Sequence, residues 1–367
     1  MAAFRPVRTL TRLAEDLLPG SAPRPSRVYN PARADQRPER AEPTIFTIFS
    51  YDAFHVEEQT VMLQECCGKV NGMITWINAD GLKKEEVEHL SNQYRIHPLL
   101  VEDILHVGQR SKMDEISETI FCVLPMLYYN ENTAMVEAEQ VSLVLVDRTV
   151  LSFQEDAKRD VFTPVRTRLR TGEGGKLRSS GADYLLYNLI DVIVDSYFGV
   201  LERLDARAES LEDAILRNDK GATSARIALL RREIVTTLRA ISPVRDLLAG
   251  LLRSDNPLLT EAIRKYFKDV QDHIVQAVDS AESLRDVTSA LQELAMNQVN
   301  MRTNEVVKTF TIITTLLAPA TVIGGIFGMN FDVIPLAHQK DGFFVMVSLM
   351  FIIPVFMLIW FKRKGWF

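Results

Sequence analysis

Cysteine is scarce in this 367-residue chain. The three present are an odd number, with Cys66 beside Cys67 and Cys122 far off. That excludes a disulfide framework and a zinc-type cluster, and reads as reduced thiols in a cytosolic domain. The six histidines (His55, His89, His97, His106, His273, His338) are scattered, and neither HExxH nor G-x-S-x-G occurs. The glycine-rich stretch 172–176 puts Leu177 where a phosphate loop needs Ser or Thr, and its first glycine is wrongly spaced. The chain therefore does not read as an enzyme, and no organic cofactor is expected. Basic charge is also short in the body of the chain. The net charge is −6; residues 1–40 carry +4 and residues 362–364 carry +3, leaving −13 for 41–361. Such a body lacks the basic face that nucleic acid requires and suits divalent cations instead. Segment 1–43 lacks the apolar run of a secretory signal. Its arginines and its prolines (Pro6, Pro19, Pro23, Pro25, Pro31, Pro38) predict a disordered tail, and Glu15 and Asp16 interrupt any transit-peptide pattern.

What the chain does have is two long charge-free runs near its C-terminus, 23 residues over 309–331 and 20 over 342–361. At about 1.5 Å per residue each makes a helix long enough to cross a bilayer, so membrane lipid is an expected partner. Lys362, Arg363 and Lys364 abut the second run, and basic residues at span ends stay in the cytoplasm. Two spans return the chain to the side it left. The large N-terminal part, both termini and segment 362–367 are therefore expected in the cytoplasm, with loop 332–341 facing outward. Trp360 and Trp366 suit the inner interface.

Upstream, alternation and β-branched content predict strands near 44–50, 73–78, 119–128, 140–146 and 149–154, and helical periods mark 84–93 and 98–105. This gives an α/β cytosolic domain over 44–182. Beyond it the pattern is helical, with long helices over 183–216 and 222–252 (a helical region of 183–256) and a third from 256 onward. No Gly or Pro falls between Leu258 and Ala318, so segment 257–331 is expected to form one stalk entering the membrane as the first span. Leu284, Val287, Leu291 and Leu294 give the stalk an apolar stripe for packing with other helices. The fold class is thus α+β with a two-helix C-terminal membrane domain.

The first span is polar for its place. Asn304, Val307, Thr311, Thr314, Ala318, Thr321, Gly325 and Gly328 follow at steps of three and four, tracing one helical face of hydroxyls, small residues and an amide. Transmembrane hydroxyls often bond their own backbone, and small residues let helices approach. One such helix cannot enclose a path, so a pore requires several copies around an axis.

At Gly328-Met329-Asn330 the sequence resembles the CorA magnesium-transporter family, whose hallmark is this tripeptide closing the first of two C-terminal spans. Thr303-Asn304-Glu305-Val306, Ala318-Pro319, Trp76-Ile77-Asn78, Ile96-His97-Pro98-Leu99, Glu102-Asp103-Ile104-Leu105, Glu139-Gln140-Val141-Ser142-Leu143 and Ala182-Asp183-Tyr184-Leu185-Leu186-Tyr187 are also similar to the family, in order, from about Thr44 to Phe367. The resemblance implies a funnel-shaped homopentamer in a bacterial inner membrane, with an α/β/α cytosolic domain, and Mg²⁺ as cargo. Co²⁺, Ni²⁺ or Zn²⁺ is the alternative cargo. It further implies a selectivity filter at Gly328, Met329 and Asn330, a lower polar ring at Asn304, and a neck at Val307, Phe310, Thr314 and Ala318. A regulatory Mg²⁺ is implied between Asp103 of one subunit and Asp269 of its neighbour, with Glu102, Asp191 and His273 at a second position. Two departures stand out: Phe327 precedes Gly328 where the family has Tyr, and Val333-Ile334-Pro335-Leu336 lacks the family's loop Glu.

Overall fold

The central strands of the soluble part are apolar on both faces, and a sheet so made must be covered on both sides. In the computed structural model, which describes residues 44–62, 72–155, 160–172, 175–217, 219, 224–329, 336 and 339–366, seven strands form one sheet. They are β1 Ile45–Tyr51, β2 Val56–Val61, β3 Ile74–Asp80, β4 Lys112–Ile116, β5 Thr119–Asn130, β6 Met135–Val146 and β7 Thr149–Gln154, in the order β2-β1-β3-β7-β6-β5-β4. β3 and β7 pair in parallel at the centre, with Ile77 opposite Leu151, and the other pairs are antiparallel.

One face carries Phe46, Ile77, Phe121, Val144, Leu151 and Phe153 against two helices, α1 Lys84–Gln93 and α2 Pro98–Leu105, which contribute Val87, Leu90, Leu100 and Ile104. Gly81 turns the chain out of β3 at φ +115°, a conformation open to glycine, with Thr44 packed against it. On the opposite face Trp76 stacks on Phe49 (5.4 Å between centroids) and meets Phe162 edge-on (5.8 Å). Its Nε1 donates to Ser152 Oγ at 2.9 Å, and that hydroxyl donates to Asn78 Oδ1 at 2.6 Å, so these three buried side chains satisfy one another. Short helices α3 Thr163–Thr171 and α4 Lys176–Ser179 lead into α5, Ala182–Leu216, with Gly172 in the left-handed cap position at φ 69°. Leu185, Leu189, Ile193, Tyr197 and Leu204 of α5 recur at helical spacing and are buried, and Tyr197 Oη donates to the Pro125 carbonyl at 2.6 Å. The soluble part is therefore helix–sheet–helix.

Two long helices follow, α6 Ser224–Arg253 and α7 Arg264–Phe327, and then α8 Gly342–Arg363. The chain divides into two units, Met1–Ala206 with Arg231–Arg285, and Arg207–Leu230 with Asp286–Phe367; α5, α6 and α7 each contribute to both.

Two differences from the sequence reading have physical causes. Edge strands β2 and β4 escaped detection because VEEQTV and KMDEI carry little apolar alternation, each strand pairing on one side alone. Helix α7 begins at Arg264, several residues after the expected 256. Leu258 N–H bonds Asn256 Oδ1 (3.0 Å), and Thr260 donates through N and Oγ1 to Asp183 Oδ2 (3.1 and 2.6 Å), so side chains satisfy this stretch without a helix. The tail 1–43, Cys66 and Cys67 lie outside the described residues; Cys122 is fully buried on β5, where burial pushes its thiol pKa up.

Trp76→Ala should destabilise the fold by about 3–5 kcal/mol, since it removes a fully buried ring and leaves Ser152 without a donor. A lowered thermal midpoint of the full-length protein, followed by circular dichroism, is the expected result.

Candidate functional site

Among the described residues, three helices are apolar and long enough to cross a membrane: Ala182–Leu216, Arg264–Phe327 and Gly342–Arg363. Burial separates them. In the most apolar stretch of α5 56% of the residues are buried, whereas in those of α7 and α8 6% are. Apolar surface left open over two helices needs lipid or further protein around it. The two spans read from sequence thus correspond to the C-terminal part of α7 and to α8.

Within their own unit these helices show consistent faces. Over 309–327 of α7 the less exposed positions are Ile312, Thr315, Leu316, Pro319, Ala320, Ile323 and Phe327; in α8 they are Gly342, Met346, Val347, Met350, Ile353, Pro354, Met357 and Phe361. Gly324 sits against the Met350 methyl, 3.6 Å from where a Cβ would lie, so a small residue admits a large one. Asn304, Val307, Phe310, Thr311, Thr314, Ala318, Thr321, Gly325 and Gly328 are all exposed. The polar face is therefore distinct from the less exposed stripe.

Every threonine of α7 from Thr303 to Thr321 folds its hydroxyl back. Thr303, Thr309, Thr311, Thr314, Thr315 and Thr321 donate to the carbonyl four residues earlier at 2.7–3.0 Å. The hydroxyl protons are committed, and what remains on each oxygen is acceptor capacity. At the helix end, Gly328 N–H bonds the carbonyls of Gly324 (3.0 Å) and Gly325 (3.2 Å), and Met329 N–H bonds Ile326 (3.3 Å). A helix C-terminus carries partial negative charge, which favours a cation beside Gly328 and Met329. A Cβ on Gly328 would lie 3.2 Å from the Gly324 carbonyl oxygen, tighter than ordinary packing. Asn330 and most of loop 332–341 lie outside the described residues.

In the unit that holds the sheet, the acidic candidates fall into two sets. Among the described residues, Asp191, Asp195 and His273 bring ligand atoms within 4.8 Å of one another. Asp191 and Asp195 are one turn apart on α5, and His273 comes from α7. His273 Nδ1 lies 3.5 Å from Asp195 Oδ1, yet is buried without a hydrogen bond. Burial and the neighbouring charge of Asp195 push the Asp191 carboxyl up to about 6, against the pull of His273 and Arg168. Tyr187 Oη donates to Asp191 at 3.4 Å; burial, then the charges of Asp191 and Asp269 among others, raise its pKa. Asp269 is exposed on α7, one turn before His273. Glu102, on α2, is not part of this group.

Asp103 stands apart from that trio and is already engaged. Lys112 Nζ lies 2.6 Å from its Oδ2 and Gln109 Nε2 donates to its Oδ1 at 2.8 Å. Burial acts to lower the Lys112 ammonium pKa, but hydrogen bonds to Asp103 and Asp114 outweigh it and hold it above the usual lysine value.

The donor chemistry fits a divalent ion. Carboxylate oxygens suit Mg²⁺, and an imidazole nitrogen without a hydrogen bond adds a ligand better matched to Co²⁺, Ni²⁺ or Zn²⁺. Sequence reasoning named Asp191 and His273 but missed Asp195, although acids four apart on a helix were a readable signal. Lys112, Gln109 and Asp114 carried none, since their meeting with Asp103 is tertiary.

Residues 71–363 match the family described as CorA-like Mg²⁺ transporter protein. The chain is 42% identical over 293 residues to a cobalt/magnesium transport protein CorA of Thermotoga maritima, covering 80% of this chain and 83% of that one. It is 25% identical over 293 residues to the CorA of Methanocaldococcus jannaschii, covering 80% and 91%. The solved structure of the complete CorA magnesium transporter from Methanocaldococcus jannaschii superposes with a TM-score of 0.75 at 23% identity, covering 88% of this chain and 99% of that one, a likeness of fold.

The raised Asp191 carboxyl has a signed consequence. A carboxyl whose folded pKa exceeds its unfolded value costs stability as pH rises from about 4 through about 6, and the cost is complete above that. Asp191→Asn should therefore raise the thermal midpoint in EDTA at pH 7.5, by about 2–4 °C per kcal/mol gained, and leave it little changed near pH 4.

Proposed function

Since this chain belongs to the CorA-like Mg²⁺ transporter family, we propose that this membrane transporter of divalent metal ions carries Mg²⁺ into the cell as a homopentameric channel of a bacterial inner membrane. Members of the family are transporters, and the chain is not an enzyme. The observation that carries the reading is the exposed hydroxyl-and-glycine face of α7, which runs up to Gly328 and Met329 along a C-terminal stretch of the helix with almost no buried surface. Five such faces around an axis make a funnel-shaped assembly with a lined path; the peripheral helix is α8.

Mg²⁺ dehydrates reluctantly, so an economical filter binds it with its water shell in place. The shell's protons point outward and meet oxygen acceptors, which is what back-bonded threonines at 311, 314 and 321 offer. At the mouth the Gly328 and Met329 carbonyls with the Asn330 amide form the selective ring. Asn304 forms a second ring below, and Val307, Phe310, Thr314 and Ala318 form a partly apolar neck between them.

Regulation belongs to the acidic body. Asp103 of one subunit and Asp269 of its neighbour share a cytosolic Mg²⁺, and Glu102, Asp191 and His273, now with Asp195, hold a second ion. Bound metal cancels repulsion between these acids and keeps the ring closed; its loss lets the subunits loosen. Transport mainly of Co²⁺, Ni²⁺ or Zn²⁺ is the second reading, favoured by a His273 Nδ1 without a hydrogen bond and by a relative named for both cobalt and magnesium.

In proteoliposomes under an inward-negative potential, Mg²⁺ should enter and Asn330→Ala should stop it without dissolving the oligomer. Normal uptake by that variant removes the filter from Asn330, and entry of Co²⁺ alone changes the cargo while the architecture stands. Asp269→Lys should weaken Mg²⁺-dependent protection of the soluble part from protease; unchanged protection takes Asp269 out of the sensor.

A further inference from the structure

Both oxygens of the Asp103 carboxylate are spoken for within the chain. Gln109 Nε2 donates to Oδ1 at 2.8 Å and Lys112 Nζ to Oδ2 at 2.6 Å. The same ammonium lies 2.8 Å from Asp114 Oδ2. Lys112 and Asp114 are two apart on β4 and so share one face of the strand, which lets one lysine reach both acids. The loop between α2 and β4 is held for this purpose by a buried glutamine. Gln140 Oε1 accepts from the N–H groups of Gly108 (2.9 Å) and Gln109 (3.0 Å), and its Nε2 donates to the Asp103 carbonyl at 3.2 Å.

We propose that Lys112 is a built-in competitor for the regulatory cation at Asp103, displaced toward Asp114 when the metal ion arrives. The inference rests on the reading of Asp103 as a regulatory ligand. A divalent ion and an ammonium cannot both sit against one carboxylate oxygen, because like charges at contact repel. Asp114 gives the displaced ammonium a second carboxylate already within reach, so the exchange is a short swing of a flexible side chain and leaves no charge unpaired. The competition weakens the site for its ion, and a sensor of an abundant cytosolic ion must be weak to respond at all. The Lys112–Asp114 spacing thereby sets the Mg²⁺ concentration at which the sensor fills.

The test is the Mg²⁺ concentration that gives half-maximal protection of the full-length protein from limited proteolysis, starting from EDTA. Lys112→Met should lower that midpoint about three- to fivefold, the strength of a partly exposed ion pair. Asp114→Asn, which leaves the ammonium to Asp103 alone, should raise it. Arg110→Gln is the control: Arg110 lines the same cleft, but its guanidinium faces Asp246 at 3.6 Å, so removing it takes away equal charge without the contact. A midpoint unmoved in Lys112→Met, or moved equally in Arg110→Gln, overturns the proposal, the second because a general field then suffices. Asp103→Asn separates the levels. Protection unchanged in that variant removes the sensor and the competitor together, whereas protection lost there with Lys112→Met silent removes the competitor alone.

Discussion

In hydrocarbon an unpaired backbone amide or carbonyl costs several kcal/mol, and this constraint shapes the C-terminal third of the molecule. It forces the charge-free runs into helices, and it holds hydroxyls within them to the carbonyl one turn back. The sheet obeys the same rule in another medium. Its central parallel pair, β3 and β7, is covered on both faces, and Trp76, Ser152 and Asn78 there bond one another. Long helices then need no strong propensity of their own; α5 is held by what it buries, and α7 passes along its length from buried contacts to an almost wholly exposed apolar stretch.

Periodicity made the central strands, α1, α2 and the two spans legible, because each buries a regular face or none. Edge strands β2 and β4 were not, since a strand paired on one side tolerates charged residues such as Glu57, Glu58, Asp114 and Glu115. The start of α7 depended on Asp183, 77 positions from Thr260, and no local pattern encodes that bond. The same limit applies to the acidic residues. The polar face of α7 could be read from spacing, and resemblance pointed to Asp103, Asp191, Asp269 and His273. Asp195 could have been read from its spacing to Asp191, but its meeting with His273 needed α5 and α7 together, and Lys112 and Gln109 became visible only through their bonds to Asp103.

The acids manage their charge in contrasting ways. Burial, and then the charge of Asp195, raises the cost of ionising Asp191, and the imidazole beside it offsets that in part. Asp103 instead carries its own ammonium. The first arrangement keeps a proton on Asp191 up to about pH 6, while the second keeps its carboxylate paired with an ammonium whose pKa burial alone would lower.

The back-bonded threonines of α7 bear on what such a helix would refuse. With its proton turned inward, each hydroxyl presents lone pairs and no donor. A hydrated cation turns hydrogens outward and finds acceptors; a hydrated anion turns oxygen lone pairs outward and meets lone pairs. Discrimination by the sign of charge would then arise from the sense of neutral hydrogen bonds, with no carboxylate placed inside the membrane and none of the desolvation penalty that such a group carries.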